Sequence, residues 1–324
     1  MVVCVCMNPS FDRTLETDVL VPGALNRVSR SRTDPGGKGV NVAAMLTRLG
    51  DEALCIGLAG EDGADRLSEL LSAGSIPHRF QKVPGAVRVN TKVISRVDGR
   101  VTEINEPGPV VGEEQLKDFF RMAHETCCGA DFAVLSGSLP PGCPQDAYGR
   151  LIDAIAPVPC ALDTGGELLR RSIGAKPFLV KPNLQELREA FGLPLREVPE
   201  IIRAARSLTD GGAALVCVSM GAEGALLVSA RKAWLAPPLP VKVRSAVGAG
   251  DAMLAGLIHG WLHSGDPEEA FRHGVAAGTA GVMSDGTQPA SAADYRSLLL
   301  RVSVMEVRDR VPPMVASDDD GRSD

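Results

Sequence analysis

The chain has 324 residues, of which 44% are hydrophobic and 23% charged, and its formal net charge is −6. This composition is typical of a globular protein with a sizeable core, and it argues against a general nucleic-acid binder, which would carry a basic surface. Because no apolar run reaches the roughly 18 residues that span a bilayer and the chain opens on a strand-like segment without a basic leader, we expect a cytoplasmic protein without a membrane partner.

Short apolar segments alternate with helical ones along most of the chain, above all after about residue 110. This alternation is typical of β-α-β units, which build a parallel sheet with helices on both faces. Strands are predicted at Val2–Cys6, 132–135, 159–163, 178–181 and 213–218, and helices at 145–156, 167–173, 184–191, 198–209, 252–263, 267–283 and 292–304.

Two segments, about 13–33 and 86–106, break this pattern. Polar and apolar residues alternate in them, and Asp98-Gly99 is a hairpin signal. We expect antiparallel strands that form a lid over the cleft at the carboxyl ends of the main strands. The prediction is thus a single domain over 1–310 with an inserted lid, followed by a disordered acidic tail at 311–324.

The most informative motif is Gly248-Ala249-Gly250-Asp251, which precedes an apolar helix. Small residues let backbone N–H groups approach a phosphate at the positive end of a helix. Asp251, directly behind them, could take the proton of a hydroxyl group that receives a phosphoryl group. The alternative is an ordinary acidic residue in a first helical turn, which the helix dipole also favours.

A second glycine-rich turn, Gly36-Gly37-Lys38-Gly39-Val40-Asn41, also opens a helix. It is not a Walker A loop, because the Gly-Lys-Ser/Thr ending is missing. Lys38 offers a positive charge and Asn41 an amide, which together favour a second phosphate or an array of sugar hydroxyls. An exposed lysine at a helix start is the alternative.

The segment 88–93 is predicted to be a strand on which Arg88, Asn90 and Lys92 share one face. Two cations around an amide could clamp an anionic substrate, and Arg27 could join them from the other lid segment. A charged outer face of a sheet is the alternative explanation.

Polar loops follow three other predicted strands. Asp12 comes after the first strand, so we expect it at the carboxyl edge of the main sheet, where it could hold sugar hydroxyls or simply close a turn. Ser136 begins a loop that we expect to line the same cleft. The tight turn that contains Ser219, Gly221 and Gly224 could hold a nucleotide, although glycines also serve the geometry of the turn itself.

Asn183 and Glu186 follow the predicted strand that ends at Lys181. An asparagine followed three residues later by a glutamate resembles a capping box at a helix start. The same amide and carboxylate could also orient phosphate oxygens and water bound to Mg²⁺.

Cysteines and histidines predict neither a disulfide framework nor a metal site. No Cys-x-x-Cys pair occurs, and Cys127 and Cys128 are adjacent. His259 and His263 are four residues apart on a helix, but without a third ligand they favour a plain helix face. The cysteines that we expect to be small buried residues in a reducing compartment are Cys4, Cys6, Cys55, Cys160 and Cys217.

The order of the motifs resembles that of the ribokinase-like (PfkB) carbohydrate kinases. It is most similar to the phosphosugar branch, which contains 1-phosphofructokinase, tagatose-6-phosphate kinase and the minor 6-phosphofructokinase. The motifs are Asn-Pro-x-x-Asp, Gly-Gly-Lys-Gly-x-Asn, Ser-Gly-Ser-Leu-Pro, Lys-Pro-Asn-x-x-Glu, Ser-x-Gly-Ala-x-Gly and Gly-Ala-Gly-Asp, between about residues 2 and 300. The resemblance implies a three-layer α/β/α fold with a β-sheet lid, ATP and Mg²⁺ as cofactors, and a homodimer that pairs through the lid.

The resemblance also implies roles for the motif residues. Asp251 would be the catalytic base, and Gly248, Ala249 and Gly250 would form the anion hole. The substrate would be bound by Asp12, Arg27, Gly37, Lys38, Asn41, Arg88, Asn90 and Ser136, with Lys38, Arg27, Arg88 and Asn90 at its phosphate. ATP would be bound by Lys181, Asn183, Ser219, Gly221 and Gly224, and Glu186 would organise Mg²⁺ through water.

Lys38 narrows the class of acceptor, because Gly-Gly-Lys-Gly is typical of the phosphosugar branch. The expected reaction is phosphorylation of fructose 1-phosphate at its 6-hydroxyl. Phosphorylation of tagatose 6-phosphate or fructose 6-phosphate at the 1-hydroxyl is the alternative. A non-catalytic sensor of sugar phosphates or nucleotides is the alternative from another class of protein.

Overall fold

The computed structural model describes residues 1–284, 286 and 288–307. This part of the chain holds a ten-stranded sheet, a four-stranded sheet and the helices that cover the larger one. The strands of the large sheet are β1 (Val2–Cys6), β4 (Ala53–Asp62), β5 (His78–Ala86), β8 (Phe132–Ser136), β9 (Cys160–Asp163), β10 (Leu179–Val180), β11 (Leu215–Ser219), β12 (Ala225–Ser229), β13 (Ala233–Ala236) and β14 (Met305–Glu306). Those of the small sheet are β2 (Ser10–Thr17), β3 (Arg30–Gly36), β6 (Arg88–Ser95) and β7 (Val101–Asn105). The helices are α1 (Lys38–Leu49), α2 (Ala64–Ala73), α3 (Glu113–Cys127), α4 (Ala147–Ile155), α5 (Gly166–Ser172), α6 (Leu184–Phe191), α7 (Val198–Asp210), α8 (Ala249–Ser264), α9 (Pro267–Gly281) and α10 (Ala292–Leu299).

The large sheet has the strand order β14-β13-β12-β11-β10-β9-β8-β1-β4-β5. Its strands from β11 to β5 are parallel, and β12 to β14 continue the sheet antiparallel. Because parallel strands end at the same edge, the loops that follow β1, β8, β9, β10 and β11 all meet at one side of the sheet.

Apolar side chains of the strands alternate between two helical layers. Cys4 and Cys6 pack into the core that α1, α8 and α9 share, whereas Val3 and Val5 pack against the layer that includes α3, α4 and α7. This confirms the predicted three-layer α/β/α architecture and the predicted burial of the strand cysteines. Within the described residues, no helix is long and apolar enough to cross a membrane.

The small sheet has the order β3-β2-β6-β7 and differs in two ways from the predicted lid. The pairs β2–β3 and β6–β7 are antiparallel as predicted, whereas the central pair β2–β6 is parallel, against the prediction. In the large sheet β1 and β5 run in the same direction, so the segments that follow them leave this sheet at the same edge. These segments continue into the lid as β2 and β6, which therefore pair in parallel. In addition, the connection between β2 and β3, at residues 18–29, contains no strand.

Asp12 was predicted at the carboxyl edge of the main sheet, and this position was wrong. It lies within β2, directly beside Asn90 of β6. The chain leaves the main sheet after Cys6 and re-enters extended structure at Ser10, so the first motif spans the junction between the two sheets.

Most boundaries of the seven helices predicted with bounds agree with the structure to within two residues, and the last of these helices differs most; α2 and α3 were not predicted. The prediction extended it to residue 304, but α10 ends at Leu299, because Met305 then joins the large sheet beside Leu235 of β13. The predicted acidic tail at 311–324 lies outside the described residues, so its disorder stays a prediction.

Candidate active site

A cavity of about 980 Å³ lies between the carboxyl edge of the large sheet and the small sheet. The structure brings to it almost every residue that the sequence singled out. These are Asp12, Gly37, Lys38, Asn41, Arg88, Asn90, Ser136, Lys181, Asn183, Glu186, Ser219, Gly221, Gly224, Gly248, Ala249, Gly250 and Asp251.

Arg27 is the exception, because it does not line this cavity. It is exposed in the connection between β2 and β3, where its backbone carbonyl accepts a hydrogen bond from Thr17 Oγ1 at 3.1 Å. Arg27 therefore lies beside the far end of β2, at Thr17, and the structure does not place it with the predicted phosphate ligands Arg88 and Asn90.

Asp251 lies in the first turn of α8 and is only 6% exposed. Asn41, in the first turn of α1, donates a hydrogen bond from Nδ2 to Asp251 Oδ2 at 2.7 Å. Gly248 precedes the helix with a φ of 80°, which a residue with a side chain rarely adopts. The start of α8 therefore presents backbone to the cavity, with an oriented carboxylate beside it.

The Asp251 carboxyl has a raised pKa. Burial is the largest influence and, together with the negative charge of Asp163, raises its pKa from 3.8 to about 6. Lys38, Lys181 and the hydrogen bond from Asn41 act in the opposite direction. A carboxylate with this pKa is a better proton acceptor than an ordinary aspartate and is still ionised at pH 7.

Asp163 lies between the two lysines of the site and lines the cavity, and the sequence analysis did not include it among the candidate site residues. It is fully buried at the end of β9, 3.0 Å from Lys38 Nζ through Oδ1 and 3.4 Å from Lys181 Nζ through Oδ2. Burial alone would raise the pKa of Asp163, but the two ammonium groups outweigh it and lower the pKa. The sequence feature that could have indicated Asp163 is its position at the carboxyl end of the strand predicted at 159–163.

Both lysines lie next to the start of α8. A Cβ atom added to Gly250 would lie 3.2 Å from Lys181 Nζ, so that ammonium group faces the first turn of the helix. Burial by itself would lower the pKa of Lys38, but Asp163, Glu186 and Asp251 together raise it, which keeps Lys38 charged. Two ammonium groups and a helix N-terminus therefore lie close together, an arrangement that favours the binding of an anion.

A second polar network lies on the lid strands. Asp12 Oδ1 accepts hydrogen bonds from Ser10 Oγ at 2.9 Å and from Asn90 Nδ2 at 3.2 Å. Lys92 Nζ lies 3.9 Å from Asp12 Oδ2, and its side chain is largely buried. Lys92 was noted on the correct face of its strand but was not included among the predicted site residues.

Arg88, Asn90 and Ser136 also line the cavity around this network. Arg88 donates from Nε to the Asn8 carbonyl at 3.1 Å, which holds its guanidinium group in place. Burial is the main cause that lowers the pKa of Arg88. Within the described ranges, the buried Ser136 Oγ and Asn90 Oδ1 have no hydrogen-bond partner, so a ligand is the natural partner for them.

The opposite end of the cavity is more apolar. Ser219, Gly221 and Gly224 form a turn with one short 3₁₀ segment, and Ser219 pairs with Asn183 through an isolated β-bridge. An apolar surface suited to a flat ring continues from this turn. Its lining residues are Pro237, Pro238, Leu239, Pro240, Val241, Val243, Val275 and Val282, and no motif in the sequence marked them.

Asn183 and Glu186 form the predicted capping box at the start of α6. Asn183 Oδ1 accepts from the Glu186 backbone N–H at 2.8 Å, and Glu186 Oε2 accepts from the Asn183 backbone N–H at 2.8 Å. The other carboxylate oxygen, Oε1, lies 3.7 Å from Lys38 Nζ. The structural role is therefore confirmed, and it leaves one oxygen of Glu186 at the cavity.

The expectation that His259 and His263 have no third ligand was wrong. The carboxylate of Asp51 lies 2.8 Å from His259 Nδ1 and 3.0 Å from His263 Nε2. Asp51 is 208 residues away from His259 along the chain, so only the packing of the connection after α1 against α8 brings them together. This cluster lies outside the cavity.

Comparison with known proteins identifies the family of the chain. The family model described as pfkB family carbohydrate kinase matches residues 3–293. The 1-phosphofructokinase of Rhodobacter capsulatus is 39% identical over 262 residues, which cover 80% of this chain and 83% of that protein. The 1-phosphofructokinase of Bacillus subtilis is 35% identical over 287 residues, which cover 88% and 93%.

A solved structure matches over nearly the whole chain. Phosphofructokinase-2 from Escherichia coli in complex with fructose-6-phosphate superimposes with a TM-score of 0.86 and 30% identity, covering 93% of this chain and 98% of that one. The tetrameric inhibited form of the same protein superimposes with a TM-score of 0.85. By sequence and by structure, the chain belongs to the pfkB family of carbohydrate kinases.

Proposed function

We propose that this carbohydrate kinase transfers the γ-phosphoryl group of ATP to the 6-hydroxyl of fructose 1-phosphate, giving fructose 1,6-bisphosphate and ADP. The observation that carries the proposal is the buried Asp251, oriented by Asn41 at the start of α8 and flanked by two lysines. The choice of acceptor is supported by the relatives named 1-phosphofructokinase.

The proposed chemistry uses Asp251 as the base. Its carboxylate takes the proton of the 6-hydroxyl while that oxygen forms a bond to the γ-phosphorus, and the bond from this phosphorus to the β,γ-bridging oxygen breaks. The backbone of Gly248–Gly250 forms the anion hole. Lys38 and Lys181 add positive charge where negative charge builds up on the transferring group.

We propose that the acceptor lies between the lid and α1. Its hydroxyls would contact Asp12, Gly37 and Asn41, and Ser136 would supply a further hydrogen bond. Its phosphate would lie at Arg88 and Asn90, joined by Lys92. The family resemblance implied that Lys38 binds this phosphate. We propose instead that Lys38 contacts the transferring phosphoryl group, because Asp163 and Glu186 hold its ammonium group.

Neutralising Lys92 tests the placement of the acceptor phosphate. Lys92→Met keeps the buried stem but removes the charge, so we expect the KM for fructose 1-phosphate to rise about 10–100-fold, with little change in the KM for ATP. Steady-state kinetics with each substrate varied in turn measure both constants. Lys82→Met, whose lysine pairs with Asp65 on the surface, is the control, and an equal rise in both constants would contradict this placement.

The nucleotide would occupy the other end of the cavity. We propose that the adenine ring packs against the apolar surface at 237–243 and that the phosphates extend past Ser219, Gly221 and Gly224 toward Lys181 and Asn183. Glu186 fits a role in holding Mg²⁺ through water, because Oε1 is the carboxylate oxygen that its helix cap leaves free. The ion would neutralise part of the phosphate charge.

Glu186→Gln tests the proposed Mg²⁺-binding role of Glu186 separately from its role in the capping box. Glutamine can still accept the hydrogen bond from the Asn183 backbone, so we expect nearly unchanged thermal stability. The Mg²⁺ concentration for half-maximal turnover should rise about tenfold. Glu200→Gln, in the capping box of α7 away from the cavity, is the matched control. A Mg²⁺ dependence equal to that of the wild type would remove Glu186 from the proposed ion site.

Titration of Asp251 predicts the acid limb of the pH profile. Because the base must be deprotonated in the free enzyme and its pKa is raised to about 6, kcat/KM should fall about tenfold per pH unit below that value. A profile measured from pH 4.5 to 9 checks this. Activity that stays level down to pH 5 would contradict the assignment.

Comparing acceptors tests the proposed substrate. We expect kcat/KM to be highest for fructose 1-phosphate when it is measured beside fructose 6-phosphate and tagatose 6-phosphate. A higher value for fructose 6-phosphate would move the assignment to the reaction suggested by the Escherichia coli structure. Tight binding of sugar phosphates without turnover of any acceptor would favour the sensor.

We also propose that two copies form a homodimer through the lid. Large apolar side chains are exposed on it, including Leu25 at 81% and Ile104 at 61%, and such residues are typical of a covered surface. Sedimentation velocity at micromolar concentration would measure the assembly. A cytoplasmic location is supported by the use of ATP and by the eight free cysteines.

A further inference from the structure

Three side chains able to bind a metal lie together at the ends of α1 and α8 that are remote from the cavity. Asp51 follows α1 by two residues, and His259 and His263 lie one turn apart in the second half of α8. The two nitrogen atoms that face Asp51, His259 Nδ1 and His263 Nε2, lie 2.8 and 3.0 Å from its carboxylate oxygens. One ligand atom from each residue lies within 4.8 Å of the others.

The chemistry of this set matches a divalent transition metal. Two imidazoles and one carboxylate are common protein ligands of Zn²⁺ and its neighbours, and three such ligands leave a position for water. Ligand atoms of a tetrahedral ion with bonds of about 2.1 Å lie roughly 3.4 Å apart. The two nitrogen–oxygen distances of 2.8 and 3.0 Å would open by about 0.4–0.6 Å around such an ion, and the three ligand atoms already lie within 4.8 Å of one another.

The surroundings provide both rigidity and access. The side chains of Asp51 and His259 are only 8% and 14% exposed, whereas that of His263 is 62% exposed. The His259 ring also packs beside His273 and Tyr295, with centroid separations of 5.3 and 6.2 Å. Two ligands are therefore held by the fold, and the third opens the site to ions from solvent.

We propose that Asp51, His259 and His263 form a binding site for a divalent transition-metal ion. The bound ion would tie the chain after α1 to the second half of α8. These two helices also meet at their starts, where Asn41 donates to Asp251. Since α1 has 12 residues and is about 18 Å long, the ion would secure the pair at a second point and act as a structural ion.

Metal titration of the full-length protein without nucleotide tests the site. Co²⁺ serves as the spectroscopic probe, and Zn²⁺ is measured by competition and by equilibrium dialysis. A Cys128→Ser background removes the exposed thiol, which could bind either ion. We expect one saturable Co²⁺ site whose visible absorption indicates nitrogen and oxygen ligands, together with a higher melting temperature when Zn²⁺ is present.

Ligand variants locate the bound ion. His263→Gln, at an exposed position, and Asp51→Asn should each weaken Co²⁺ binding about 100-fold or more, because even residues that only support a ligand cost 10–100-fold. His124→Gln, an exposed histidine of α3, should leave binding unchanged. The proposal is overturned if the protein shows no saturable Co²⁺ binding. Binding that survives both ligand variants, or that His124→Gln weakens equally, would overturn it as well.

Discussion

Replacing Asp251 by asparagine is expected to lower kcat by about 10²–10⁴-fold without loss of ATP binding. The amide cannot take the proton of the acceptor hydroxyl, but its Oδ1 can still accept the hydrogen bond that Asn41 donates at 2.7 Å in the native site. Steady-state kinetics and titration calorimetry with ATP measure the two effects. Turnover close to that of the wild type would show that another group is the base.

The same substitution is expected to stabilise the fold above pH 7. Burial, the largest cause, raises the pKa of Asp251 from 3.8 to about 6, so the native state holds an ionised group that it disfavours. The stability linked to such a raised pKa is fully present below pH 3.8 and is lost as the pH rises through about 6. Asp251→Asn should therefore raise the free energy of unfolding by about 1–3 kcal/mol at pH 8.

Denaturant unfolding at pH 4.5, 6 and 8 checks this linkage. The stability difference between the variant and the wild type should be largest at pH 8 and should shrink toward pH 4.5, where the wild-type carboxyl is protonated in the native state. A variant less stable than the wild type at pH 8 would mean that burial does not dominate the environment of Asp251. Asp251→Asn is thus expected to raise the free energy of unfolding at pH 8 and to lower kcat.

Replacing Asp163 by asparagine is expected to have the opposite effect on stability. The amide leaves the ammonium groups of Lys38 and Lys181 without their shared buried carboxylate, and breaking a buried ion pair in this way costs about 3–5 kcal/mol. Because Lys38 keeps Glu186 as a second partner, we expect about 2–4 kcal/mol at pH 7. Turnover should fall too, since both lysines lose the group that positions them.

The pH dependence of this loss follows from the lowered pKa of Asp163. A lowered pKa contributes stability that is present above the unfolded-state value of 3.8 and is lost as the pH falls. The difference between Asp163→Asn and the wild type should thus be largest near neutral pH and should shrink below about pH 4. Asp153→Asn, an exposed aspartate of α4, should change little and serves as the control. A loss of stability that is constant from pH 8 to pH 3 would contradict the ion-pair explanation.

Asp163→Asn also distinguishes two origins of the acid limb of kcat/KM. The phosphate of the acceptor titrates near pH 6 as well. If its protonation caused the fall of kcat/KM at acid pH, the Asp163→Asn substitution would not shift the pH at which kcat/KM falls. Asp163 raises the pKa of Asp251, so a limb that belongs to Asp251 should move to lower pH in the variant. An unmoved limb would assign it to the substrate.

The parts of the site that lie on short motifs could be predicted from the sequence. Gly248–Asp251, Gly36–Asn41 and the capping box of Asn183 and Glu186 each combine a loop with the helix that follows it. Helix starts have local signatures, and parallel strands end at one edge. These motifs could therefore be assigned to one cleft before any contact between them was known.

Pairings between distant segments could not be predicted in this way. The parallel register of β2 and β6 depends on how β1 and β5 are placed in the large sheet. This register puts Asp12 in the lid, beside Asn90, and not at the predicted carboxyl edge of the main sheet. The same limit applied to Asp51, whose histidine partners lie more than 200 residues away.

The sequence by itself determined the three-layer fold, the two glycine-rich helix starts that we propose to bind phosphate, and the choice of Asp251 as the candidate base. Each of these depends on residue types within one segment and on their periodicity. Only the tertiary structure decided that Asp163 joins Lys38 to Lys181, that Lys92 faces the cavity while Arg27 does not, and that the Asp251 carboxyl titrates near pH 6. Burial and charge–charge distances exist only once distant segments have packed together, and they set the electrostatics of the site.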